Sequence, residues 1–142
     1  HECRILAAIA DYSYQHLTEV GVRAVKPQGG FYMFPDFEVI RCALSNRGIT
    51  TAQQMCDAIF EEVSVALMPG GPAFLRPSTE LTVRMCFVNF DGSVALKASM
   101  AIGLHNPLPE GFVEEHCVLT VGGIQALKQW ILNQKASVSH DL

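Results

Sequence analysis

The hydrophobic positions of this chain change period several times, and each change marks an element. From Glu2 to about Val20, Leu6, Ile9, Leu17 and Val20 recur near helical spacing, and Gly21 follows where a left-handed cap is common, which predicts an amphipathic helix. A short strand over Val22–Val25 is predicted before Pro27. Gly29 and Gly30 then precede Phe31-Tyr32-Met33-Phe34, an aromatic run too short for a helix and rich in strand formers, which Pro35-Asp36 ends. Val39 to Asn46 is a weaker helical stretch closing near Gly48. Thr51 and Gln54 have the spacing of a capping box, so a helix from Ala52 to Val63 is expected, with Met55, Ile59 and Val63 on one stripe and Cys56 and Phe60 beside it. Ser64 to Met68 is a short apolar strand stopped by Pro69-Gly70-Gly71-Pro72.

The clearest alternation runs from Leu81 to Gly92. Leu81, Val83, Met85 and Phe87 fall on one face of a strand, and Thr82, Arg84, Cys86 and Val88 share the other. Arg84 is the permanently charged residue in the middle of this run. A guanidinium there must reach solvent or an anion, because it stays protonated and is expensive to bury unpaired. The strand alone leaves two readings open: an edge-strand arginine in an ordinary salt bridge, or a fork that binds the carboxylate of a ligand.

After that strand, Asp91-Gly92-Ser93 caps a helix to about Leu104, with Leu96 and Met100 four apart and Gly103 near its end. Asn106 to Gly111 reads as a linker, and Phe112 to Cys117 as an added helical turn. Gly122-Gly123 precede a last predicted helix, Ile124 to about Gln134, with Ile124, Leu127 and Ile131 inward and Trp130 packing beside them. Residues 2–134 are read as one domain and 135–142 as a polar tail. Short strands interleaved with helices, without the regular alternation of a doubly wound sheet, predict an α/β (α+β) fold. The expected architecture is a small mixed or antiparallel sheet covered on one face by helices, with Arg84 on the other face.

Composition narrows the function more than it names it. At 142 residues the chain can bury a real core, and 49% hydrophobic against 17% charged residues is a globular balance. A formal charge of -4 without any run of Lys or Arg argues against nucleic acid as a partner. The five cysteines are scattered, with no CxxC pair and no histidine at metal-ligand spacing, and read as reduced thiols. His116-Cys117 alone makes no catalytic or metal site. The Pro69–Pro72 glycines lack the Lys-Ser/Thr ending of a phosphate-binding loop, so a turn is the reading there. No apolar run approaches a membrane span, and no leader opens the chain. The expected location is the cytoplasm, with the mitochondrion as alternative. His1-Glu2 enters a helical pattern at once, as though a longer helix had been cut.

Three separated stretches together resemble the C-terminal small domain of the class I/II aminotransferases, the fold-type I enzymes that use pyridoxal 5'-phosphate. They are Pro27-Gln-Gly-Gly-Phe-Tyr-Met-Phe-Pro-Asp36, Val65-Ala-Leu-Met-Pro-Gly-Gly-Pro-Ala-Phe74 and Val83-Arg-Met-Cys-Phe87. The resemblance runs from about Glu2 to Leu104, with Gly123 to Trp130 similar to the closing helix. It is interrupted between Leu104 and Thr120, where Glu114-Glu115-His116 and the proline-rich linker depart from the usual pattern.

The resemblance implies that Arg84 grips the α-carboxylate of an amino acid or 2-oxo acid substrate. A planar fork suits that task, since two parallel charge-assisted hydrogen bonds fix orientation as well as charge. It also implies that Phe31 comes near the substrate, with Gly30 letting the chain pass close, while Tyr32 turns to the core. A core aromatic is the competing reading of Phe31. The cofactor lysine of the family lies in the large domain, and Lys26, Lys97, Lys128 and Lys135 lack its sequence context, so no catalytic or cofactor-binding residue is assigned here. The implied partners are the absent large cofactor-binding domain and, for the whole enzyme, a second copy in a homodimer. The isolated chain is expected to be inactive and to bind no cofactor. The alternatives are another fold-type I enzyme, such as a carbon-sulfur lyase or an aminocyclopropane-carboxylate synthase-like protein, and a non-catalytic interaction module with this fold.

Overall fold

In the computed structural model, residues 2–24, 32–69, 80–86 and 92–140 are described. Helix α1 (Glu2–Glu19) is followed by β1 (Tyr32–Met33), a 3-10 turn (Glu38–Ile40), α2 (Arg41–Asn46), α3 (Ala52–Val63), β2 (Met68–Pro69) and β3 (Val83–Cys86). Three further helices complete the order: α4 (Gly92–Ile102), α5 (Phe112–His116) and α6 (Val118–His140).

The strands form an antiparallel sheet in the order β1-β3-β2, with Tyr32 opposite Cys86, Met33 opposite Met85, Met68 opposite Arg84 and Pro69 opposite Val83. Isolated bridges extend the pairing at Arg23–Asp36 and Asp36–Thr82. Of the predicted strand near Val22, Arg23 makes that one bridge, its N–H and C=O pairing with Asp36 at 3.1 and 2.7 Å. The alternation in β3 holds: Leu81, Val83 and Met85 are buried in the same core as Met33, whereas Thr82 and Arg84 are half-buried on the opposite face. Helical side chains from α1, α3 and α6 fill the other side of that core, so helices cover one face of the sheet.

Local chemistry explains two of the helix ends. Thr51 accepts the Gln54 backbone N–H, and Gln54 Oε1 accepts that of Thr51, so the capping box opens α3 as its spacing predicts. Gly21 at φ 94° ends the first helical stretch, where a side chain would meet a Val39 methyl at 2.9 Å. Within α1 the deepest apolar positions are Ile5, Ile9 and Leu17, with Leu6 only partly covered.

Several sequence readings change, among them the strand expected over Ser64–Met68, which is confined to Met68–Pro69. The Gly122-Gly123 pair lies inside α6 rather than before it, because the helix starts at Val118 and tertiary packing overrides glycine's low propensity. The same helix continues to His140, so the stretch from Lys135 set apart as a polar tail is helical to that point. On α4, Ala95 and Ser99 face the core and Met100 is 59% exposed, because small residues let this helix sit close against α1.

The first and last helices are joined by a polar seam. Gln125 Nε2 donates to Tyr12 Oη at 2.7 Å, and Lys128 Nζ reaches Glu19 Oε2 at 2.9 Å and His16 Nδ1 at 3.2 Å. A second seam ties α2, α3 and α6: Arg47 bonds Glu62 at 2.6 Å and Gln134 at 3.0 Å, and Trp130 Nε1 donates to Glu62 at 3.3 Å. Trp130 is thus a packing residue with a satisfied indole N–H, as its place beside the apolar stripe predicts.

Candidate functional site

Arg84 stands on the middle strand of the sheet, not on an edge. Neighbouring strands on both sides fix its backbone, so its side chain leaves a rigid platform. The outer face of that platform is built by register. Met68 lies directly across β2 from Arg84, and cross-strand partners of an antiparallel pair project from the same face. An Arg84 guanidinium nitrogen, Nη2, accordingly donates to the Met68 thioether. On the other side, the pairing of Met33 with Met85 places Phe34, the next residue, level with Arg84. Phe34 is 52% and Met68 46% exposed, so the guanidinium sits between two exposed apolar side chains on the outer face.

Such a setting has a definite chemistry. Apolar flanks lower the local polarity around a fixed cation, which strengthens its attraction for an anion that reaches it. A carboxylate is the matching anion, because the fork geometry offers two parallel N–H donors. The Thr82 hydroxyl, two residues along the same face, is buried and without a hydrogen-bond partner among the described residues.

Gly30 and Phe31, the other two residues that sequence reasoning assigned to substrate, lie outside the described residues, as do Lys26 and the Gly70–Phe74 segment. Met68 and Phe34 were not singled out in the sequence. The signal for Phe34 was present in its alternation with Met33, but the placement of Met68 depends on strand register, which no local pattern carries.

Two described cysteines and His116 are held in the core or by neighbouring side chains. Burial pushes the Cys56 thiol up to about 12, with the Asp57 charge adding to the effect, and burial also raises Cys117. Both are therefore poor nucleophiles. His116 packs its ring on Phe112 at 4.8 Å and lies 3.8 Å from Glu115, so it does not form a pair with a reactive thiolate. Among the described residues no group of three or more His, Cys, Asp or Glu could hold a metal ion, and no helix is long and apolar enough to cross a membrane.

A groove of ≈ 920 Å³ opens between the chain leaving α3 and the first half of α6, lined by Val63, Val65, Leu67, Met85, Leu119 and Ile124 among others. Met85 belongs to the buried face of β3, so this groove opens on the other side of the sheet from Arg84. None of its described lining residues is titratable, so they offer no group for proton transfer.

The family-implied cofactor needs an amine to carry its aldehyde and a cradle for its phosphate. Lys97 stands on exposed α4 surface, Lys128 is bonded to Glu19, and Lys135 is on α6 near Gly21. The described residues thus include an outward-facing guanidinium but not the donor set for that cofactor.

Comparison with known proteins defines the class first: the chain has an aminotransferase-like fold, and part of its sequence is aspartate-aminotransferase-like. It resembles the aspartate aminotransferase of Geobacillus stearothermophilus, with 41% identity over 58 residues, 40% of this chain and 14% of that protein. The aspartate aminotransferase of Bacillus sp. (strain YM-2) is 37% identical over 59 residues, 42% of this chain and again 14% of the relative. Among solved structures, aspartate aminotransferase from Thermotoga maritima superposes with a TM-score of 0.51 at 20% identity, covering 87% of this chain and 22% of that one. The aromatic aminotransferase of Pyrococcus horikoshii gives 0.54 at 20% identity, covering 90% and 24%. No family model matches the chain. The chain therefore corresponds to a quarter or less of the length of these enzymes.

Proposed function

We propose that this chain is the substrate-carboxylate-binding part of a pyridoxal-phosphate-dependent aminotransferase, with Arg84 as the residue that grips the α-carboxylate of the amino acid or 2-oxo acid. The observation that carries the reading is the position of Arg84: the outer face of the middle strand, flanked by Met68 and Phe34, in a domain with an aminotransferase-like fold. Two parallel N–H donors hold a carboxylate in one plane, and a single ammonium cannot impose that plane. Orientation is the catalytic contribution, since holding the reacting bond in a productive direction removes much of the entropic barrier. The flanking apolar side chains lower the local polarity around that pair, which strengthens it.

The cofactor supplies the electron sink for amino-group exchange when it is held by the rest of such an enzyme, and this chain alone is proposed to be catalytically silent. In an enzyme that carries this domain together with its cofactor domain, Arg84→Ala should lower kcat/KM for amino acids by about two to four orders of magnitude, the range set by two charge-assisted hydrogen bonds. Its cofactor absorbance should stay unchanged. Arg84→Lys should recover only a small part, because it restores the charge without the fork. Unchanged kinetics in Arg84→Ala would remove the assigned role, and loss of cofactor absorbance would point to a structural one.

A further inference from the structure

Met68 stands opposite Arg84 on the neighbouring strand. Met68 is 46% exposed, whereas Met33, Met55 and Met85 are buried at 1%, 0% and 4%. Its thioether accepts from the Arg84 guanidinium, and the β2–β3 register places the two side chains side by side on the outer face. A thioether is a weak, uncharged acceptor, so a carboxylate displaces it from a guanidinium readily. A sulfoxide is different: the same side chain then presents a strongly polar oxygen at the same place.

We propose that oxidation of Met68 to its sulfoxide captures the Arg84 guanidinium and closes the carboxylate site to substrate. The regulatory role rests on the carboxylate reading of Arg84, while the capture itself rests only on the Met68–Arg84 geometry. The oxidant is a hydroperoxide. The Met68 sulfur attacks the protonated peroxide oxygen, an S–O bond forms as the O–O bond breaks, and the proton of the transferred oxygen passes to the departing oxygen, which leaves as water or an alcohol. Sulfur loses two electrons and the peroxide gains them. Because the side chain already stands in solvent, the sulfoxide remains hydrated and the fold does not resist it. Enzymatic reduction reverses the change, so the site can reopen.

The test uses the whole chain. It is treated with hydrogen peroxide, the oxidised methionines are mapped by peptide mass, and the Arg84 Nε–Hε resonance is followed by NMR while succinate is titrated in. Met68→Leu, which keeps an apolar side chain without the sulfur, is treated in parallel. Oxidation of the exposed thiol of Cys42 is common to both proteins and cancels in the comparison. Met100, 59% exposed on α4, is the internal control for a methionine that oxidises without touching Arg84. The expected result is that Met68 oxidises ahead of the three buried methionines and that the Arg84 resonance moves in the wild type but not in Met68→Leu. Succinate affinity should fall about tenfold in the oxidised wild type, the worth of one charge-assisted hydrogen bond that must first be given up, and stay unchanged in oxidised Met68→Leu. Met68→Gln, whose amide oxygen imitates the sulfoxide, should weaken succinate binding without any oxidant. Oxidation of Met68 that leaves the Arg84 resonance in place overturns the proposal, as does equal succinate binding before and after. A resonance shift on oxidation with no succinate response in either state supports the capture and overturns the carboxylate reading alone.

Discussion

Replacing Arg4 by alanine removes a four-bond clamp between the first helix and the end of α4. Its Nε donates to Ser99 Oγ at 2.8 Å and its Nη2 to the Ser99 carbonyl at 2.7 Å. Its Nη1 donates to the carbonyls of Gly103 at 3.2 Å and Asn106 at 2.8 Å. The carbonyls near the C-terminal end of a helix carry the negative end of its dipole, so a cation there is favourable twice over. A hydrogen bond from a charged donor contributes about 1.5–3 kcal/mol where water cannot replace it. The Asn106 bond is exposed and water replaces it, while the Ser99 pair is partly buried. Counting mainly that pair, Arg4→Ala should cost about 2–4 kcal/mol. Arg4→Lys should recover less than half, because one ammonium cannot span groups on two successive turns. Urea unfolding followed by circular dichroism measures the loss as a lower midpoint at an unchanged slope. A cost below about 0.5 kcal/mol, the level of an ordinary surface substitution, would refute the clamp.

Other outcomes follow from the same physical accounting. Gly21→Ala forces a side chain into a backbone with φ 94° and against a Val39 methyl at 2.9 Å, and should cost about 1–3 kcal/mol in the same urea experiment. The Lys128 ammonium bonded to Glu19 holds that carboxyl below its ordinary value of 4.5. A depressed folded-state value gives stability that is present above the unfolded value and lost as pH falls through the folded one. Glu19→Gln should therefore flatten the decline of the unfolding midpoint on acidification below about pH 4.5, and an unchanged decline would contradict the pairing. With its thiol pushed up to about 12 by burial, Cys56 should resist alkylation in the native chain at pH 8, while the exposed Cys42 reacts. Equal labelling of the two, read by peptide mass, would mean that the core around Cys56 opens readily.

Much of this fold was legible because local rules and tertiary packing agree in particular places. The Thr51–Gln54 spacing named a cap that forms, Gly21 and Gly48 take the left-handed backbone that a helix end wants, and the alternation around Arg84 sorted buried from outward side chains. Where the reading failed, a distant partner decided. The Gly122-Gly123 pair looked like a break, yet a long helix passes through it, and among the described residues beyond its chain neighbours and the helix's own nearby backbone no atom lies within 4 Å of where either side chain would begin. Met100 looked like a core residue from its spacing, but α4 turns the small Ala95 and Ser99 inward, where Arg4 from α1 meets Ser99. The candidate site was half legible. Arg84 was found from its charge and alternation, whereas its place on the middle strand and the companionship of Met68 come from strand order, a non-local property that sequence spacing does not contain.

The most direct test of the account compares substrates rather than only variants. In an enzyme carrying this domain with its cofactor domain, kcat/KM is measured for an amino acid and for the corresponding amine without the carboxylate, in wild type and in Arg84→Ala. If Arg84 grips the carboxylate, the wild type should favour the amino acid strongly, and Arg84→Ala should lose that preference while its slow turnover of the amine stays the same. An Arg84→Ala enzyme that slows both substrates by the same factor would contradict the claim.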